Sequence, residues 1–218
     1  MDVSSSGSAG RPRPRRPASL DQATADALPG GLDPAQRAEL AHTTAAALVR
    51  DGRAGGDDPA VLARLVGLVE REGLELVATL WSDSPPSSLP GALWRLYVLR
   101  EWVRRDPVTV ADRYRQGVEH APVQGAVAGV ALPPGPEDVR ATADAVLSGV
   151  YAGDLAVALE RAAAFCRVLA TGGALDADHL DLVDPSGAGR LTRGSAALGR
   201  TAEELTAAAG LWRAGALD

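Results

Sequence analysis

Trp94, Val98 and Trp102 recur at i, i+4 and i+8 within Leu89 to Gly117, a stretch that also carries six arginines against three acids. On a helix that spacing sets two indoles and a valine in one line along the axis. Indole beside guanidinium is a chemistry of recognition. Tryptophan and arginine are enriched among the anchors of interfaces, and a guanidinium can stack on an indole face or pair with an anion. Trp94, Trp102 and Arg105, which lies one turn beyond Trp102, are therefore the expected partner-binding residues, for a protein or a small-molecule partner. The competing expectation is plain packing, with both indoles in the core and the arginines neutralised by the chain's own acids.

Bond-making chemistry finds less support. His42, His120 and His179 stand in three separate segments, and Glu119 and His120 point different ways on any helix. Neither the E-x-x-H spacing of helical di-metal sites nor H-E-x-x-H occurs. An enzyme would have to assemble its centre from scattered groups such as Asp112, Glu119 and His120. The acidic run from Asp176 to Asp184 starts like a calcium loop but places Asp181 where the turn glycine belongs and Gly187 where the last carboxylate belongs. Gly187-Ala188-Gly189 has no strand before it, and a chain without lysine has no P-loop. Cys166, set among leucine and phenylalanine, reads as a buried packing thiol. No catalytic residue, metal or cofactor is expected, and the chain reads as a non-enzymatic binding protein.

Nucleic acid is expected to meet this chain only through its N-terminus. Residues 1–18 are rich in Ser, Gly, Pro and Arg, lack apolar periodicity, and read as a disordered tail whose Arg11, Arg13, Arg15 and Arg16 suit a phosphate backbone or an acidic surface. A DNA-associated regulator using that arm is the alternative function. The net charge of −6 argues against nonspecific DNA binding by the remainder. The region 74–105 makes a poor helix-turn-helix, because its turn is long and its second helix is apolar where base-reading side chains belong.

The elements that must position these residues are helices. Isoleucine is absent, there is one phenylalanine, and valine falls mostly at helical spacing, so the fold is expected to be all-α, a single bundle around a buried helix over about 89–105. Ser88 is its expected N-cap, and Leu89, Ala92, Leu93, Leu96, Leu99 and Val103 fill a second arc away from the tryptophans. Asp-Pro pairs at 33, 58 and 106 each open a helix, the first carrying Leu40 and Leu48 inward and the last stopping near Gly117. A short helix is expected over 19–28 and another over 74–81, and 120–134 reads as a buried crossing loop. Further helices are expected over 136–151 and 154–171, the second ended by Gly172-Gly173. The domain plan is thus a tail at 1–18, a helical core at 19–173, a Gly/Asp-rich loop at 174–200, and a C-terminal helix within 201–218 opened by Thr201 and Glu204.

The stretches LPGALWRLYVLREWVRRDP and AGDLAVALERAAAFCRV, with the total lack of Lys, Asn and Ile, resemble conserved hypothetical proteins of high-GC Gram-positive bacteria, over roughly residues 60–171. The resemblance implies no activity and assigns no residue. With one cysteine, no secretory h-region and no apolar run of about 18 residues, a cytoplasmic chain without a membrane segment is expected.

Overall fold

A computed structural model of the protein describes residues 33–54 and 74–218. Along them run α1 (Pro34–Ala54), α2 (Leu74–Trp81), α3 (Leu89–Arg105), α4 (Pro107–His120), α5 (Pro122–Ala128), α6 (Pro136–Ala152), α7 (Leu155–Asp181) and α8 (Pro185–Arg213). No strand occurs among the described residues, and the all-α expectation holds. The tail at 1–18 and the helices expected over 19–28 and 58–72 lie outside the described residues.

Ser88 starts α3 as its sequence predicts: its hydroxyl accepts the Gly91 N–H at 3.3 Å, which satisfies one of the orphan donors of the first turn. Leu89, Ala92, Leu93, Leu96, Leu99 and Val103 are all buried. α3 touches α1, α2, α4, α6, α7 and α8, and its leucine face is closed. Each fully buried leucine there is worth roughly 1.5–3 kcal/mol relative to exposure. Asp106 then does two jobs. Its N–H closes α3 on the Trp102 carbonyl at 3.1 Å, and its carboxylate accepts the Thr109 N–H at 3.3 Å to open α4.

Three glycines expected to end helices lie inside them instead. Gly117 is interior to α4, and Gly172 and Gly173 are interior to α7. The missing side chains let backbones meet. A Cβ on Gly117 would strike the Val168 carbonyl, and one on Gly172 would strike the Arg113 carbonyl. Beside this crossing the Tyr114 and Phe165 rings stack with centroids 5.3 Å apart.

The loop expected at 174–200 is helical. α7 continues to Asp181, and α8 begins at Pro185 and runs through to Arg213. Low helix propensity loses here to packing: Gly173 lies against Ser195, Gly187 against Leu180, and the two helices run side by side as a long hairpin. Asp184 opens α8 by accepting the Gly187 N–H at 2.9 Å, so the helix does not start at Thr201, whose hydroxyl donates instead to the Ala197 carbonyl within α8. The apolar segment after His120 is also not a buried crossing loop. It forms α5, with Val123 and Val127 exposed. In α1 the inward face is Ala41, Ala45 and Val49, while Leu40 points to solvent.

Candidate functional site: a tryptophan groove between α3 and α8

The side of α3 away from the leucines does not close. Trp94 and Trp102 are half-buried against the core, and Val98 between them is 43% exposed. These three form one wall of a groove of about 330 Å³. Leu198, Thr201 and Glu204 of α8 form the opposite wall, and Leu99 and Cys166 lie in its floor. The two walls are held together by Arg95, which donates from Nε to Glu204 at 2.5 Å and from Nη1 to the Gly91 carbonyl at 2.9 Å.

Of the residues expected to bind a partner, Trp94 and Trp102 therefore meet at one groove. Arg105 does not join them. It donates to Glu101 at 2.7 Å, one turn back on its own helix, and is absent from the groove lining. The competing expectation is met for the arginines: Arg95 pairs with Glu204, Arg105 with Glu101, and the buried Arg100 with Asp144 at 2.5 Å. For the indoles it is met only by half.

The α8 side of the groove could not be read from the sequence, because 174–200 looked too rich in Gly and Asp to be helical. One signal was there: Asp184-Pro185 repeats the Asp-Pro helix start seen at 33 and 106. Followed by the phase of Ala188, Ala202 and Leu205, it sets the buried face of α8 and hence which residues look across at α3.

The scattered polar groups do not assemble. Asp112 is bonded to Arg115 at 2.8 Å, Glu119 is exposed, and the exposed His120 places Nδ1 3.2 Å from the Gln116 carbonyl oxygen. His179 is exposed near the end of α7. Among the described residues no group of three or more His, Cys, Asp or Glu side chains is placed to hold a metal. Asp176, the first residue of the supposed calcium loop, lies in α7 and pairs with Arg113 at 3.2 Å. Cys166 is wholly buried, and burial pushes its thiol up to about 12, which removes it as a nucleophile at neutral pH. His42 lines a separate cavity of about 800 Å³ with Val49, Arg50, Leu89, Trp212 and Leu217. That cavity borders the end of α1, beyond which residues 55–73 are outside the description. Arg11, Arg13, Arg15 and Arg16, the expected nucleic-acid arm, also lie outside it. No helix among the described residues is long and apolar enough to cross a membrane.

Comparison with protein-family models, with curated proteins and with solved structures finds no match to the chain.

Proposed function

We propose that the protein is a non-enzymatic binding protein whose recognition face is the groove lined by Trp94, Val98 and Trp102. One observation carries this: on a helix whose leucine face is shut, a valine stands open between two half-open indoles. Large aromatic surface left accessible in a concave site is what anchoring positions are made of. The single cysteine, buried and without a disulfide partner, supports a cytoplasmic setting.

Stability of point variants tests the reading. Leu96→Ala empties a closed position and should cost about 2–5 kcal/mol by urea denaturation. Trp102→Ala removes a side chain that is only partly enclosed and should cost about 1–2 kcal/mol, well below the roughly 3–5 kcal/mol of a buried aromatic. If Trp94→Ala and Trp102→Ala both destabilise as much as Leu96→Ala, the indoles are core and the recognition face is lost.

A further inference from the structure

We infer that the occupant of the groove is a small, uncharged, ring-bearing molecule that carries a hydrogen-bond donor, and not a protein surface. The inference rests on the reading of Trp94, Val98 and Trp102 as the binding face.

Size separates a small molecule from a protein. The groove measures about 330 Å³, at the lower end of the roughly 300–1,000 Å³ of small-ligand sites. A stable protein contact takes about 800 Å² from each partner, with an apolar centre. The helices flanking this groove offer few open side chains for such a centre. Val98 is the one exposed large hydrophobic residue on α3, and α8 has none. Beyond Val98, no large hydrophobic side chain of α3 or α8 stands fully open to extend the groove into a broad apolar face.

Charge separates a neutral ligand from an ion. Arg95 and Glu204 are the charged residues of the lining, and they are bonded to each other at 2.5 Å. An anion drawn to Arg95 meets Glu204 beside it, and a cation drawn to Glu204 meets Arg95. Either must compete with a pair already formed in a partly desolvated position, where separating the partners is costly. A neutral molecule leaves the pair in place, and with it the link between α3 and α8.

Shape and hydrogen bonding narrow the class further. Trp94 and Trp102 lie two helical turns apart, about 12 Å along the axis at ~1.5 Å per residue. A flat ring system resting on Val98 reaches an indole at each end. Across the groove, Thr201 spends its hydroxyl proton on the Ala197 carbonyl at 3.1 Å. The oxygen keeps its lone pairs, so toward a ligand Thr201 is an acceptor for N–H or O–H.

A matched pair of dyes tests this on the full chain. N-phenyl-1-naphthylamine is neutral and carries one N–H, and 1-anilinonaphthalene-8-sulfonate is the same skeleton with an added sulfonate. The neutral dye should show saturable, one-to-one fluorescence enhancement, and the sulfonate should bind at least tenfold more weakly. Trp102→Ala should weaken the neutral dye at least tenfold. Val98→Asp, at a position exposed enough to leave folding alone, should do the same with the far-ultraviolet circular dichroism unchanged. Sulfonate binding as tight as the neutral dye overturns the inference, and so does neutral binding that neither variant affects. Absence of saturable neutral binding while both variants stay folded also overturns it, yet leaves the open tryptophan face standing. Failure of that face itself is read separately, from the alanine stabilities above.

Discussion

Cys166 shows how far one residue can be understood from its place on a helix. Its spacing among Leu159, Ala162, Phe165 and Leu169 predicts a buried thiol, and the side chain is wholly enclosed. Native protein should therefore react with a thiol reagent only as fast as it opens, and labelling should accelerate sharply once denaturant is added. Fast labelling in buffer would contradict the helix phase. The same enclosure fixes a pH dependence. Burial raises Cys166 from its ordinary 9.0, and Tyr114 from 10.0, each to about 12. An unfolded chain releases these protons first, so stability holds below about pH 9 and falls as pH climbs toward 12. The urea midpoint should be level from pH 7.5 to 9 and lower at 10.5, and Cys166→Ala should remove the earlier part of the fall. Arg105 marks the limit of such reading. Its helical phase could be read from the sequence, but Glu101 one turn away competes for it, and a helical wheel does not rank partners.

At the level of elements, cap chemistry and apolar period were legible and glycine was ambiguous. Ser88 and Asp106 could be identified as caps because the signal lies within three residues. Gly172 looks the same in sequence whether it ends a helix or lets another helix touch it, and only the partner at Arg113 decides. The two uses predict opposite mutational outcomes. Gly172→Ala pushes a methyl group into backbone that cannot give way and should cost at least about 2 kcal/mol. Gly194→Ala meets nothing within 4 Å in the middle of α8 and should stabilise by about 0.5–1 kcal/mol through helix propensity. Thermal melts of the two variants check both signs, and a stabilising Gly172→Ala would remove the close crossing of α4 and α7.

For the whole molecule, the all-α class follows from composition, whereas the site depends on a pairing of distant segments that no local pattern encodes. Trp94 and Trp102 could be singled out, but Leu198, Thr201 and Glu204 could not, since nothing near residue 200 mentions residue 95. α8 is not an appendage: Ala202, Leu205, Ala208 and Ala209 are fully buried. A chain ended at Asp184 should lose cooperative unfolding altogether, as seen in a broad, shallow melt. Asp144→Asn tests the interior charge of Arg100. Because the Asp144 side chain is 48% exposed, solvent screens part of the loss, and about 1–2 kcal/mol is expected in place of the 3–5 kcal/mol of a fully buried pair.

The bond from Arg95 to Glu204 spans 109 residues of chain. The α7–α8 hairpin needs only a tight turn at 182–184 to form, whereas bringing the two sides of the groove together closes a far larger loop, whose entropy must be overcome before any contact there is gained. Contacts of that separation tend to be made late, and contacts missing from the folding transition state act mainly on the rate of unfolding. A molecule lodged against both α3 and α8 would thus behave as a removable cross-link. It would leave the refolding arm of a chevron plot nearly where it was and lower the unfolding arm in proportion to its occupancy, so that the lifetime of the folded chain reports the ligand even when no structural change accompanies binding.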